Sequence, residues 1–153
     1  MDRTSLLFEI RYAERLCQRT ARLYRNLETT SVLMSILGGS GVFASLSGEM
    51  PTWLALTFTS VFVVFSAFNL ALRPSDKAAA NDSDMRRYAQ LRTASLGMTD
   101  EELSRALHQA RETDTPEIEA LRDVAYNEAA IEIGRGDAVV ALNWRKNLLK
   151  VMA

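Results

Sequence analysis

From the N-terminus, Leu6, Ile10, Ala13, Cys17, Tyr24 and Leu27 recur at three- or four-residue steps or nearby multiples, while Arg11, Arg15, Arg19 and Arg22 mark another face. That spacing predicts an amphipathic helix over residues 1–28. The pattern then changes. Residues 29–48 (TTSVLMSILGGSGVFASLSG) and residues 51–72 (PTWLALTFTSVFVVFSAFNLAL) carry no charge, and Glu49 is the one acid between them. A helix rising about 1.5 Å per residue needs roughly 20 residues to cross about 30 Å of hydrocarbon. Both runs have that length. The second is the stronger, with fifteen of twenty-two residues apolar; the first has nine apolar residues, four glycines and seven Ser/Thr. Hydroxyls bonded back to a carbonyl one turn earlier are tolerated in lipid, so the first run inserts when paired with the second. The chain is expected to be all-α: an N-terminal amphipathic helix (1–28), a two-helix transmembrane hairpin (29–72) and a helical cytoplasmic region (73–153). The competing reading is a soluble bundle with two buried central helices, but such helices usually keep a polar face.

Beyond Pro74 helical punctuation returns. A helix is expected to start in the Asn81–Asp84 region and end at Gly97. Thr99 with Glu102 forms a capping box for a helix through about Arg111. Asp114 or Thr115 is expected to cap the next, with Pro116 in its first turn and Ile118, Leu121, Ala125 and Ile131 on its apolar side, as far as Ile133. The GRGD stretch at 134–137 breaks it, and a last helix carries Val140, Trp144, Leu148 and Val151. No strand pattern is evident.

Charge placement adds an orientation. Net charge is −1, which gives no reason to expect nucleic-acid binding. Arg11, Arg15, Arg19, Arg22 and Arg25 precede the first run, Arg73, Lys77, Arg86, Arg87 and Arg92 follow the second, and the connector has no base. The positive-inside rule puts both termini in the cytoplasm. Trp53 and Tyr24 sit where rings favour the headgroup zone, and Pro51 suits the first turn of the second helix. The N-terminal arginines either touch anionic headgroups or face the acidic C-terminal part.

The first run holds two rows of small residues at four-residue spacing, Ser31–Ser35–Gly39 and Ser40–Ala44–Gly48. Small rows let helix backbones approach closely where lipid offers no hydrophobic drive. The second run supplies bulk at Phe58, Phe62, Phe65 and Phe68. Two arrangements fit: a homo-oligomer with the small-residue helix inside, lining a pore, and phenylalanines as lipid face or constriction; or packing within one hairpin. Ser66 and Asn69 are the polar groups of the second run, available to the first helix or to the interface near Arg73.

Catalytic chemistry is not expected. The one histidine, His108, lies on a charged helix with no nucleophile motif around it, so it reads as a solvated residue. The single cysteine, Cys17, excludes an internal disulfide and suits half-buried packing. No metal spacing and no phosphate loop is present, since GGSG is not followed by GK[ST]. The carboxylates Glu117, Glu119, Asp123, Glu128 and Glu132 read as a solvated helix face. No cofactor, metal site or secretory signal is expected.

A basic N-terminal helix, two close apolar runs and a helical tail containing PEIEALRDVAYNEAAIEIG, with Tyr126-Asn127 and Gly134, resemble the SLATT family, two-transmembrane effector domains associated with SMODS and SLOG proteins. The resemblance implies a bacterial inner-membrane effector that perturbs or perforates the membrane in a defence or conflict system. It implies a trigger from a separately encoded nucleotide-signalling or sensor protein, because no such domain is fused here. Tyr126, Asn127, Gly134 and Trp144 are then candidate positions for cytoplasmic interaction. A non-conducting membrane scaffold and a soluble helical interaction protein are the alternatives.

Overall fold

The computed structural model describes residues 2–46, 48 and 50–153. Glu49, the expected acid of the connector, lies outside the described residues. Among those described, all regular structure is helical: α1 (Arg3–Leu46), α2 (Thr52–Leu72), α3 (Pro74–Ala94), α4 (Asp100–Glu112), α5 (Arg122–Glu132) and α6 (Trp144–Met152), with single 3₁₀ turns at 95–97, 119–121 and 136–138. The chain divides into two compact units, residues 1–23 with 77–153, and residues 24–76. The expected boundary near residue 28 is not a helix end, because α1 runs through it without interruption.

In the first unit, the N-terminal apolar stripe does what its spacing predicts. Leu6, Ile10, Ala13 and Cys17 of α1 pack with Tyr88 and Leu91 of α3 and with Leu103, Leu107 and Ala110 of α4. Burying each leucine or isoleucine contributes about 1.5–3 kcal/mol. Tyr24 and Leu27, which continue the stripe in sequence, are only half-buried and belong to the other unit. The second layer of this unit is α5, whose buried face is mostly small: Val124, Ala125, Ala129 and Ala130, following Leu121. Ile131, expected on that face, is exposed.

Three local expectations differ from the structure. α3 begins at Pro74 instead of near Asn81, since proline at the first helical position costs no hydrogen bond and Asp76 in the first turn complements the helix dipole. Asn81 and Asp84 therefore sit inside the helix and are buried. Asp114 and Thr115 lie in a stretch without regular structure and cap no helix, because the Asp114 carboxylate accepts from the Tyr88 hydroxyl and from Arg87 Nη2, the latter at 2.7 Å. Val140 lies ahead of α6, which Asn143 caps by accepting from the Lys146 amide at 2.9 Å. The Thr99–Glu102 capping box is formed as expected: Glu102 accepts from the Thr99 amide at 2.8 Å, and Thr99 Oγ1 accepts in return from the Glu102 amide at 3.3 Å.

In the second unit, the first apolar run stays helical to Leu46, and Gly48 stands beyond the helix end with φ +77°. Pro51 is the residue just before α2, its carbonyl accepting from the Ala55 amide at 3.1 Å. α2 ends on Arg73, a left-handed residue (φ 44°) whose amide donates to the Asn69 carbonyl at 3.0 Å. α1 and α2 pack as an antiparallel pair: Ser31 opposes Phe65, whereas Gly38 and Gly41 oppose Phe62 and Phe58. Each contains a stretch long and apolar enough to cross a membrane.

Candidate functional site

The contact line of the α1–α2 pair is built from small residues, in a register shifted from the two rows read in the sequence. Ser31 is buried and donates to the Phe65 carbonyl at 3.0 Å. A turn and three residues further, Gly38 touches backbone: a Cβ there would stand 2.7 Å from the Phe62 nitrogen and 2.9 Å from the Phe58 carbonyl oxygen. At Gly41 a Cβ would overlap the Phe58 ring. Ser35 is half-buried beside this line, with its hydroxyl oxygen enclosed and unpartnered. Gly39 lies at its edge, 3.6 Å from the Phe62 ring by the position of a Cβ.

The second row falls elsewhere. Ser40 and Ala44 are exposed, and Gly48 is beyond the helix. Ser40 Oγ donates to the Ile36 carbonyl at 2.9 Å, so its hydroxyl is satisfied within its own helix. Thr57, Thr59 and Ser60 of α2 do the same one turn back, at 2.9, 2.9 and 2.8 Å. Each hydroxyl thereby meets its need without water, which is the condition for a polar group in an apolar surrounding. Leu33, Ile36, Leu37 and Phe43 of α1, and Leu56, Val63, Val64 and Leu70 of α2, are exposed, as is Trp53 at 68%. No described residue of α2 is buried.

In the first unit the arginines of α1 face acids. Arg15 pairs with Glu132, Arg11 approaches the same carboxylate at 3.7 Å, and Arg19 forks onto Glu128, its Nε at 3.1 Å from Oε2. Glu128 and Glu132 are thus ion-pair partners of α1, with Glu132 still exposed; Asp123 is paired with Lys146, Glu117 with Arg122 at 3.5 Å, and Glu119 is exposed. For Arg11, Arg15 and Arg19, these contacts are the second of the two readings of the N-terminal arginines.

Tyr126 and Asn127 have separate structural jobs. The Tyr126 ring meets Phe8 of α1 edge-on, with centroids 5.4 Å apart. The buried Asn127 amide reads the main chain of Val140 in both directions, Nδ2 donating to its carbonyl and Oδ1 accepting from its amide, each at 2.8 Å. That clamp fixes the extended 139–143 segment. Gly134 (φ +78°) terminates α5: its amide donates to the Ile131 carbonyl at 3.0 Å, and the Arg135 amide donates to the Ala130 carbonyl at 2.8 Å. This is a Schellman stop, in which a left-handed residue after the last turn satisfies two orphan carbonyls. Trp144, the first residue of α6, is 71% exposed. An open groove of about 380 Å³ lies between Phe8, Tyr126, Ile133 and Arg135.

A polar network not evident in the sequence joins α3 to the irregular 114–118 stretch. Arg87 Nη2 bridges Asp84 (2.9 Å) and Asp114 (2.7 Å), Asp84 also accepts from the Thr115 amide at 2.9 Å, and the Tyr88 hydroxyl donates to Asp114. Burial and then the Asp114 contact push the Tyr88 hydroxyl's pKa up. Burial, helped by the charges of Asp114 and Asp84, pushes the Cys17 thiol up to about 12, so it stays protonated and unreactive at neutral pH. The one local signal for this network in the sequence is Asp84 three residues ahead of Arg87. His108 is exposed on α4. No cluster of three metal-ligating side chains occurs among the described residues.

Comparison of the chain with known protein families, curated proteins and solved structures finds no match.

Proposed function

We propose that the chain is a membrane effector whose α1–α2 pair forms a transmembrane hairpin, both termini lying in the cytoplasm of a bacterial cell and the helical unit outside the bilayer receiving a trigger. The observation carrying this reading is the exposure of the apolar helices. A soluble monomer rarely presents a contiguous apolar patch beyond a few hundred Å², yet α2 buries none of its described residues, and the hydroxyls of Thr57, Thr59 and Ser60 are satisfied inside the helix. Two spans cannot enclose water, so perforation requires an assembly of copies. The exposed Ser40–Ala44 strip of α1 is the small-residue surface left for that contact, and Phe43 with the exposed leucines supplies its rim. The trigger belongs to a separate sensor or nucleotide-signalling protein, as the resemblance implies.

A non-conducting scaffold is the second reading, and one observation favours it: Ser31, Gly38 and Gly41 are spent on packing within the hairpin. Expression in bacteria with a membrane-potential dye separates the two. Perforation predicts depolarisation that Ala44→Leu abolishes while the protein remains in the membrane. Normal potential with an intact, membrane-inserted oligomer under the trigger supports the scaffold instead.

A further inference from the structure

After Asp137 the chain contains no acid: residues 138–153 read AVVALNWRKNLLKVMA, with three bases. Helix α6 divides these residues by face. At about 100° per residue, Trp144, Leu148 and Val151 fall within about 60° of one another. They are 71, 54 and 84% exposed, so the unit leaves this stripe uncovered. Lys146 and Leu149 lie on the other side, and Lys146 is tied to Asp123 of α5. Arg145 and Lys150 flank the stripe, both exposed and neither in an ion pair among the described residues; the Arg145 guanidinium lies 5.3 Å from the centre of the Trp144 ring. Arg19 of α1 donates to the Lys150 carbonyl at 3.2 Å, which anchors the far end of α6 to its unit.

We propose that α6 is a second membrane contact, an interfacial helix that docks on an anionic lipid surface. This rests on the membrane reading above but assigns a separate site. An apolar stripe led by tryptophan and edged by cations is the composition that settles at the boundary of headgroups and acyl chains, with the rings and leucines below and the bases at the phosphates. Charge complementarity selects the occupant. The three bases and absence of acidic side chains over residues 138–153 match an anionic surface, and one of phosphatidylglycerol attracts each exposed base by about 1 kcal/mol. The Asn127 clamp on Val140 and the Asn143 cap hold the helix ready in the described conformation, so little ordering is left for the moment of docking.

The test uses the full chain with Trp53→Phe, which leaves Trp144 as its sole indole. Placed in nanodiscs of phosphatidylcholine alone or mixed equally with phosphatidylglycerol, Trp144 should shift to the blue and be quenched by brominated acyl chains several-fold more in the anionic discs. Arg145→Glu with Lys150→Glu should remove that difference, and Leu148→Gln should reduce it; these side chains are exposed, so the core is untouched. Trp144 emission that stays red and open to aqueous acrylamide in both discs overturns the proposal. So does a blue shift that follows the number of chains per disc instead of the lipid, because a second copy is then the occupant. If the chain proves soluble without detergent, the membrane-span reading fails on its own, and the α6 proposal stands or falls on whether that soluble chain floats with phosphatidylglycerol vesicles.

Discussion

Gly38 of α1 and Phe62 of α2 meet backbone to backbone, with 2.7 Å between the Phe62 nitrogen and the place a Cβ on Gly38 would take. Backbone cannot yield as a side chain does, so this contact sets how closely the two apolar helices approach. Gly38→Leu is expected to cost at least about 2 kcal/mol, at the upper end of ordinary overpacking. Gly39→Ala, whose Cβ would rest 3.6 Å from the mobile Phe62 ring, is expected to be neutral. Reversible unfolding in mild detergent measures both. Equal losses at the two glycines would mean that the helices pack through a different face.

Asn127→Leu should release the 139–143 segment. Both hydrogen bonds to Val140 disappear at once, for a loss of about 2 kcal/mol, whereas Asn127→Asp keeps the acceptor and loses the donor. Hydrogen exchange at the Val140 amide should rise strongly in the first variant and modestly in the second. Unchanged exchange in both would show that the segment is held by other contacts.

Gly134→Ala puts a side chain at φ +78°, a conformation that costs an L-residue roughly 1–2 kcal/mol. The expected result is a drop of about 1 kcal/mol in the stability of the unit containing α5, seen as an earlier urea midpoint. Space is not at issue there, since nothing lies within 4 Å of the added Cβ. A change of less than about 0.3 kcal/mol would show that α5 can end in another way.

Stability should fall in alkali. The folded pKa of Cys17 is raised from 9.0 to about 12 and that of Tyr88 is raised above 10.0, so folding favours the protonated forms. Their contribution is fully present below pH 9 and is lost as pH climbs from there towards the folded values, because the unfolded chain ionises first. Cys17→Ala should flatten the part of the decline that starts near pH 9, and Tyr88→Phe the part above pH 10. The second variant also deprives Asp114 of a donor, at about 1 kcal/mol at neutral pH. Urea midpoints at pH 7, 9 and 10.5 check these signs; equal midpoints across the series would contradict them.

What the sequence made legible was what depends on composition and period. The charge-free runs, the α1 stripe from Leu6 to Cys17 and the Thr99–Glu102 box all follow from local pattern, and each is found as an element of the structure. What stayed hidden depends on partners distant in the chain. Asp114 resembles a helix cap until Arg87 and Tyr88 claim its carboxylate. Asn81 and Asp84 look like a helix start until α3, beginning at Pro74, buries them in its interior. The small-residue rows were visible, but the line that touches α2 runs through Ser31, Gly38 and Gly41, and only the facing backbone distinguishes it from Ser40 and Ala44. For the proposed effector role, pattern supplied the two long apolar helices, and no residue by itself supplied the trigger.

In the proposed function, α1 and α2 live in lipid. Alkaline carbonate washing of membranes from bacteria expressing the full chain tests it most directly. The expected result is that the protein stays with the membrane pellet and leaves it only with detergent. Quantitative release into the carbonate supernatant, as a monodisperse species, would contradict it.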